Sequence, residues 1–190
     1  MTKYSNLLYT GRFQPPHLGH CSVVDKGLEL AEKVIIGIGS SQIDGIQSPF
    51  TIRNPLPAEL RAKLWHDIYG DSVVTVLIPD RTHENDNNGE WGRWLLDYAK
   101  QGYGADIQGL IYSDDEGRSD WFYPEDQANL EFVVLQRNAV VDISATQLRE
   151  AVAIGDFTTY AAYTHVNTHH RFEEIQHYLW QHEYYQQLRQ

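Results

Sequence analysis

Apolar positions along the chain follow two rhythms. Short unbroken runs recur at Leu7-Leu8-Tyr9, at Val34-Ile35-Ile36-Gly37-Ile38-Gly39-Ser40, from Val73 to Ile78, at Leu110-Ile111-Tyr112 and at Phe132-Val133-Val134-Leu135. Runs of this kind predict strands buried on both faces. Between them, apolar residues stand three or four apart: Val23, Val24, Leu28 and Ala31; Leu60, Leu64 and Ile68; Trp91, Trp94, Leu95 and Tyr98. That spacing predicts helices with one apolar face. Strands and helices alternate, so the expected fold is α/β, a parallel sheet with right-handed crossovers and helices on both faces. The prolines between Pro49 and Pro57 and the polar stretch Arg81 to Gly89 predict loops. Beyond about Thr158 the character changes, and Phe172, Ile175, Leu179 and His182 predict one C-terminal amphipathic helix. Residues 1–160 are therefore expected to form the main domain. Residues 161–190 are expected to be its helical appendage, docked on the sheet or on another subunit.

Charge and cysteine usage narrow the classes. The 190 residues carry a net charge of -11, which argues against nucleic acid or an acidic membrane as a partner. Any polyanion must meet locally concentrated positive charge. Cys21 is the single cysteine, so an internal disulfide and a cysteine-rich zinc site are both excluded. His165, His169, His170, His177 and His182 invite a metal reading, but their spacing supplies no paired zinc helix with a third ligand. The sequence shows neither a signal peptide nor an apolar run of membrane-spanning length, so a cytoplasmic protein is expected.

The chemistry concentrates at Gly11-Arg12-Phe13-Gln14-Pro15-Pro16-His17-Leu18-Gly19-His20. This stretch follows the first strand and opens the first helix at about Leu18. Such turns aim free N–H groups and the positive end of a helix dipole at one spot, which suits phosphate. His17 and His20, three apart, can flank that phosphate from the first turn, with Gly19 leaving the wall between them bare. Taken alone, such a pair is more often packing or surface. Far downstream, Ser144-Ala145-Thr146-Gln147 fits a capping box. Ser144 can simply cap a helix, or it can join Thr146 and the early amides in donating to phosphate, with Arg149 one turn on. Gly37-x-Gly39-Ser40 is a weak dinucleotide fingerprint, read either as a strand end or as close backbone approach to a nucleotide.

Together, His17-Leu18-Gly19-His20 and Ile143-Ser144-Ala145-Thr146-Gln147-Leu148-Arg149 resemble the paired signatures of the nucleotidylyltransferase superfamily. The runs Tyr9 to His17, Ile35 to Gln42 and Ser48-Pro49-Phe50-Thr51 look like nicotinamide mononucleotide (NMN) adenylyltransferases of the archaeal type and their Nudix-fused bacterial relatives. The resemblance covers most of residues 4 to 160 and implies a Rossmann-like sheet and transfer of an adenylyl group from ATP to NMN, with Mg2+ accompanying the ATP. It implies catalytic roles for His17, His20 and Arg149. It implies ATP or phosphate contacts for Gly11, Arg12, Phe13, Gly19, Ser144 and Thr146, and nicotinamide-nucleotide contacts for Gln14, Ser40, Asp80 and Trp91. No dedicated metal ligand is assigned. No nucleic acid or membrane partner is expected, and a homo-oligomer stays open.

Three departures stand out. Residues Ile52 to Ala58 look like an insertion before Arg61, Ser113-Asp114-Asp115-Glu116 is acidic where the adenine side is expected, and no Nudix segment is expected to follow. Alternatives are transfer to nicotinate mononucleotide, to FMN or from CTP to an alcohol phosphate, and a nucleotide-sensing module without turnover. Trp91 is the hardest residue to place. It opens an apolar stripe, which favours the core, yet it follows a polar loop at the ligand edge, where it could stack on a nicotinamide ring. Asn87 and Asn88 could then bond the uncharged carboxamide. A site for nicotinate would want a cation, and only Arg81 and Arg93 flank the loop. NMN is the expected acceptor.

Overall fold

The computed structural model describes residues 2–42, 50–81, 88–114, 116–136 and 143–189. Five strands, β1 (Tyr4–Gly11), β2 (Ala31–Ile38), β3 (Val73–Leu77), β4 (Gly109–Ser113) and β5 (Glu131–Leu135), form one sheet in the order β3-β2-β1-β4-β5. Every pairing is parallel. The crossover helices are α1 (Leu18–Leu30), α2 (Ala58–Tyr69) and α3 (Gly89–Tyr103), with a short α4 (Pro124–Gln127) before β5. The expected Rossmann-like α/β architecture is the one observed.

Alternation along the strands explains the two cores. Leu7, Tyr9, Val34, Ile36, Ile38 and Ile111 point to one face, where Val23 and Val24 of α1 and Trp65 of α2 cover them. Leu8, Ile35, Leu110 and Tyr112 point to the other, under Trp91, Leu95 and Ala99 of α3. Covering both faces is what makes the strands read as continuous apolar runs. Ala31 departs from expectation. It opens β2 rather than closing the face of α1, and its N–H caps Gly27 at the end of α1, so helix and strand meet without a loop.

Trp91 lies in the second core, 7% exposed, with its ring 6.4 Å from that of Trp121. Of its two sequence readings, the structure selects the core. Asn88 is spent as the N-cap of α3, its Oδ1 accepting from Trp91 N at 3.0 Å, and Asn87 lies outside the described residues.

The C-terminal region is not a single helix. It comprises α5 (Ala145–Ala153), α6 (Phe157–Tyr163), a 3-10 turn over Val166–Arg171, α7 (Phe172–Leu179) and α8 (Glu183–Gln187). Its third core joins Leu60 and Leu64 of α2 to Leu148, Val152, Tyr160, Ile175, Leu179 and Tyr185. These helices pack on α5 and α2 rather than on the sheet. Gln176 Nε2 and Trp180 Nε1 donate to the carbonyls of Val152 and Ala153 at 2.8 and 2.9 Å, which folds α7 back along α5. Tyr160, the last residue of the expected main domain, falls inside α6 and is fully buried.

The segment read as an insertion, Ile52 to Ala58, ties these parts together. Thr51 and Asn54 form a small bridge, and Asn54 and Leu56 are fully buried. Arg61, one turn into α2, is also fully buried. Its guanidinium donates to the carbonyls of Leu56 (3.1 Å), Arg12 (2.8 Å), Gly39 (2.6 Å) and Ser40 (3.0 Å). Burial pulls its pKa down to about 9, which leaves it charged at neutral pH.

Two substitutions test this packing. Replacing Arg61 with Met strands four buried carbonyls and should destabilise the fold by roughly 3–5 kcal/mol in urea unfolding. A loss below ~1 kcal/mol would show that water replaces the guanidinium easily. Trp91→Ala should cost about 3–5 kcal/mol through the cavity it leaves. An unchanged melting temperature would return Trp91 to the solvent edge.

Candidate functional site

The turn between β1 and α1 is built around an aromatic wedge. Phe13 adopts a left-handed backbone, φ 49°, and its ring is 3% exposed. It packs against Tyr9, His20 and Trp65, with ring centroids 5.2, 5.1 and 5.1 Å away. A bulky residue with positive φ is strained, and these contacts hold it there. Phe13 therefore shapes the turn through its side chain.

His17 is the N-cap of α1, as the spacing predicts, but the capping box is made of two imidazoles. His17 Nδ1 accepts from Gly19 N, and His20 Nδ1 accepts from His17 N, both at 3.2 Å. A ring nitrogen that accepts carries no proton, so each neutral ring has its proton on Nε2. Local capping thus equips both rings as Nε2–H donors, and both line the cleft. The ring centroids are 3.7 Å apart. Burial first, then the proximity of His17 and Arg118, holds the His20 pKa well below the usual 6.5.

Two cavities open beside these rings. One, of about 410 Å³, is lined by Thr10 to Gln14 of the turn, by Arg53, by Arg118 and by Thr146 and Arg149 of α5. The other, of about 660 Å³, is lined by His17, Gly19 and Lys26 of α1 and by Ser113, Gln136 and Ser144. They share Tyr9, His20, Glu116 and Ala145. The strand order reverses between β1 and β4, and crevices at such points are where α/β sheets bind ligands. The first cavity gathers Arg12, Arg53, Arg118 and Arg149, with Glu116 as the one carboxylate among its described lining residues. Within a chain of net charge -11, this is a local concentration of cations.

The second signature also folds as a cap. Ser144 Oγ accepts from Gln147 N at 3.2 Å, and Gln147 Oε1 accepts from Ser144 N at 2.9 Å. The start of α5 thereby faces the cleft. Arg149 is 3% exposed and braced from three sides. Nε donates to Tyr185 Oη at 2.6 Å, one Nη to Gln14 O at 3.0 Å and the other to Thr146 Oγ1 at 3.1 Å. Among the described residues three of its five N–H donors find partners, and the side chain lines the first cavity.

Other sequence candidates have structural duties. The Gln14 amide pairs with the backbone of Leu56, accepting from its N at 2.9 Å and donating to its O at 3.3 Å, and it donates to Asn54 Oδ1 as well. Ser40 Oγ donates to Asp80 Oδ1 at 2.8 Å. Ser40, Asp80 and Trp91 line neither of the two cavities. Gly37 leaves room for Ile78, whose Cδ1 would lie 2.8 Å from an added Cβ. Gly39 N donates to Gly11 O at 2.9 Å, so these glycines serve strand packing and the approach of two backbones. Ser48 and Pro49 of the resemblance, and Asp115, fall outside the described residues.

Sequence reading missed Arg118, Arg53 and Tyr185. Arg118 carried one signal, a position just after Gly117 in the loop following β4, at the ligand edge. Tyr185 had none, because its partner Arg149 lies 36 residues away in sequence.

Several known proteins are similar to this chain in sequence or in fold. A nicotinamide-nucleotide adenylyltransferase of Thermococcus sibiricus is 38% identical over 74 residues, 38% of this chain and 40% of that protein. That of Saccharolobus solfataricus is 44% identical over 98 residues, 48% and 52% of the two chains. The matched stretches therefore span about half or less of those relatives. In fold, the chain is similar to the bifunctional NMN adenylyltransferase/ADP ribose pyrophosphatase of Francisella tularensis. The TM-score is 0.64 at 19% identity, over 98% of this chain and 52% of that one. It is also similar to the Plasmodium falciparum nicotinic acid mononucleotide adenylyltransferase, with a TM-score of 0.54 at 14% identity over 97% and 98%. Residues 8–153, which include both signatures and both cavities' main walls, match the Cytidylyltransferase-like family, and the chain belongs to it.

Proposed function

We propose that the chain transfers the adenylyl group of ATP to the 5′-phosphate of NMN, giving NAD and releasing pyrophosphate. The observation that carries this reading is the convergence of two helix starts, two Nε2–H imidazoles and four arginines on two cavities that meet at His20. Such a site binds polyphosphate and has no need of a general base, because the attacking phosphate is already ionised. Its part is to align the two substrates and to neutralise the charge that develops as the α-phosphorus changes partners. In this reading the 660 Å³ cavity holds the adenosine side, between α1 and the start of α5. The smaller, arginine-lined cavity holds phosphates.

His17 and His20 donate from Nε2 to phosphate oxygens. An anion beside His20 favours its charged form, which burial suppresses in the ligand-free site. Arg149 is pre-aligned by Tyr185 and Gln14 O, so little conformational entropy is lost when phosphate arrives. Mg2+ supplies further neutralisation of the triphosphate. Glu116, the one carboxylate lining either cavity among the described residues, is ion-paired with Arg118 at 2.9 Å. Among the described residues no group of three metal-ligating side chains is gathered. In this reading the ion arrives with ATP.

For the acceptor, the names of the curated relatives favour NMN. So does local charge. Among the described residues, the two arginines that flank the 82–87 stretch are paired with carboxylates, Arg81 with Glu90 at 3.1 Å and Arg93 with Glu125 and Asp126 at 2.9 and 2.8 Å. Asp80, hydrogen-bonded to Ser40 at the ends of β2 and β3, adds negative charge there. Among the described residues no helix is long and apolar enough to cross a membrane, and we place the reaction in the cytoplasm.

An acceptor panel tests the reading: ATP and magnesium with NMN, nicotinate mononucleotide or FMN. Pyrophosphate should appear fastest with NMN, together with NAD. Faster release with nicotinate mononucleotide would reverse the acceptor assignment, and no release with any acceptor would remove the activity.

His20→Ala should lower turnover by ~10²–10³-fold, the usual cost of one preorganised donor. Near-normal turnover of the folded variant would remove His20 from the transfer step. In the wild type without ligand, the His20 ring should stay neutral well below pH 6.5 in an NMR titration, and phosphate ligands should move its midpoint upward. A midpoint at 6.5 that ignores ligand would contradict the arrangement.

A further inference from the structure

We propose that Arg118 is a further phosphate-binding residue, gripping a polyphosphate chain from the wall of the crevice opposite Arg12 and Arg149. The proposal rests on the reading of this cleft as a polyphosphate site, but it concerns a residue on a different strand's loop. Arg12 follows β1 and Arg149 belongs to α5, whereas Arg118 follows β4, across the point where the strand order reverses.

The chain is shaped to put it there. Glu116 N donates to Ser113 O at 2.9 Å, which turns the backbone as β4 ends. Gly117 then takes a left-handed conformation, φ 57°, which glycine adopts without strain. A 3-10 turn over Arg118–Trp121 follows and brings the Trp121 ring under the guanidinium, 4.1 Å from its centroid. The platform is firm. The Trp121 carbonyl rests on Gly92 of α3, where an added Cβ would lie 2.3 Å from it, and its ring abuts Trp91.

The guanidinium is held yet underused. Its side chain is 17% exposed, and Nε donates to Glu116 at 2.9 Å. Among the described residues no acceptor meets its four Nη hydrogens. Arg61 and Arg149 provide the contrast, since carbonyls and hydroxyls occupy most of their donors. A partly desolvated guanidinium, stacked in place with an open fork on a cavity wall, matches two oxygens of a phosphate. Arg118 also stands close enough to His20 to help keep that ring neutral. An anion between them relieves the repulsion and engages both.

The test uses inorganic tripolyphosphate as the probe, titrated by calorimetry into the full-length protein. Wild type should bind it. Arg118→Ala should weaken binding roughly 10- to 100-fold, as expected for lost charge-assisted bonds. Arg118→Lys should recover part of the loss, keeping the charge without the fork or the stack. Arg118→Gln serves in place of the alanine variant if that one fails to fold. Unchanged affinity in the folded alanine or glutamine variant, or a wild type that does not bind tripolyphosphate, overturns the proposal. Adenylyl transfer is measured in parallel. An inactive wild type whose tripolyphosphate binding still depends on Arg118 would sink the reaction and leave this assignment. An active wild type with Arg118-independent binding would sink this assignment alone.

Discussion

Four backbone carbonyls, those of Arg12, Gly39, Ser40 and Leu56, converge on the guanidinium of Arg61. The four carbonyl dipoles, helped by the more distant charges of Glu59 and Asp80, compensate a buried cation here. This fixes the turns after β1 and β2 relative to α2. Everything at the cleft hangs from those turns. Gln14, on the first, locks to Leu56 and Asn54, and Asn54 Nδ2 donates to Ser40 O, on the second. Tyr185 Oη, from α8, donates to Ile52 O at 2.7 Å while accepting from Arg149. The Ile52 to Ala58 segment is therefore the hub through which the sheet, α5 and the C-terminal helices hold one another in register.

The frame decides what the cleft can do. Helix capping is a structural need, yet here it is met with imidazoles, which leaves two protonated Nε2 atoms toward the ligand. At the second signature it is met with serine and glutamine, which leaves the start of α5 at the cleft. The caps occupy the amides of His17, Gly19 and Gln147, so what they leave toward the cleft is the ring Nε2–H groups and the remaining amides of each first turn. The acidic net charge is no obstacle, because the carboxylates that accompany the cleft's cations are few and paired with them. The acid run expected to disturb the adenine side shows this: Glu116 is neutralised by Arg118.

Periodicity made the sheet legible, since strands covered on both faces read as apolar runs and their helices as stripes. The two signatures were legible because each is local, a turn and a cap within ten residues. What stayed hidden is long-range. Nothing near Tyr185 announces Arg149, and nothing near Gln14 announces Leu56, 42 residues on. Trp91 was ambiguous because a helix start can face either way, and only the position of Trp121 and Phe122 shows that its side is already filled. The break between α7 and α8 was missed because the apolar spacing runs on to His182, while tertiary bonds from Gln176 and Trp180 to α5 end the helix at Leu179.

In the proposed reaction the acceptor's own phosphate attacks phosphorus and its oxygen becomes the bridge of the dinucleotide. Phosphorus NMR of a reaction run with NMN carrying oxygen-18 throughout its 5′-phosphate tests it most directly. NAD should retain all the label, with one labelled atom in the bridge, and pyrophosphate should carry none. Label in the released pyrophosphate, or unlabelled ATP returned with no NAD formed, would contradict it.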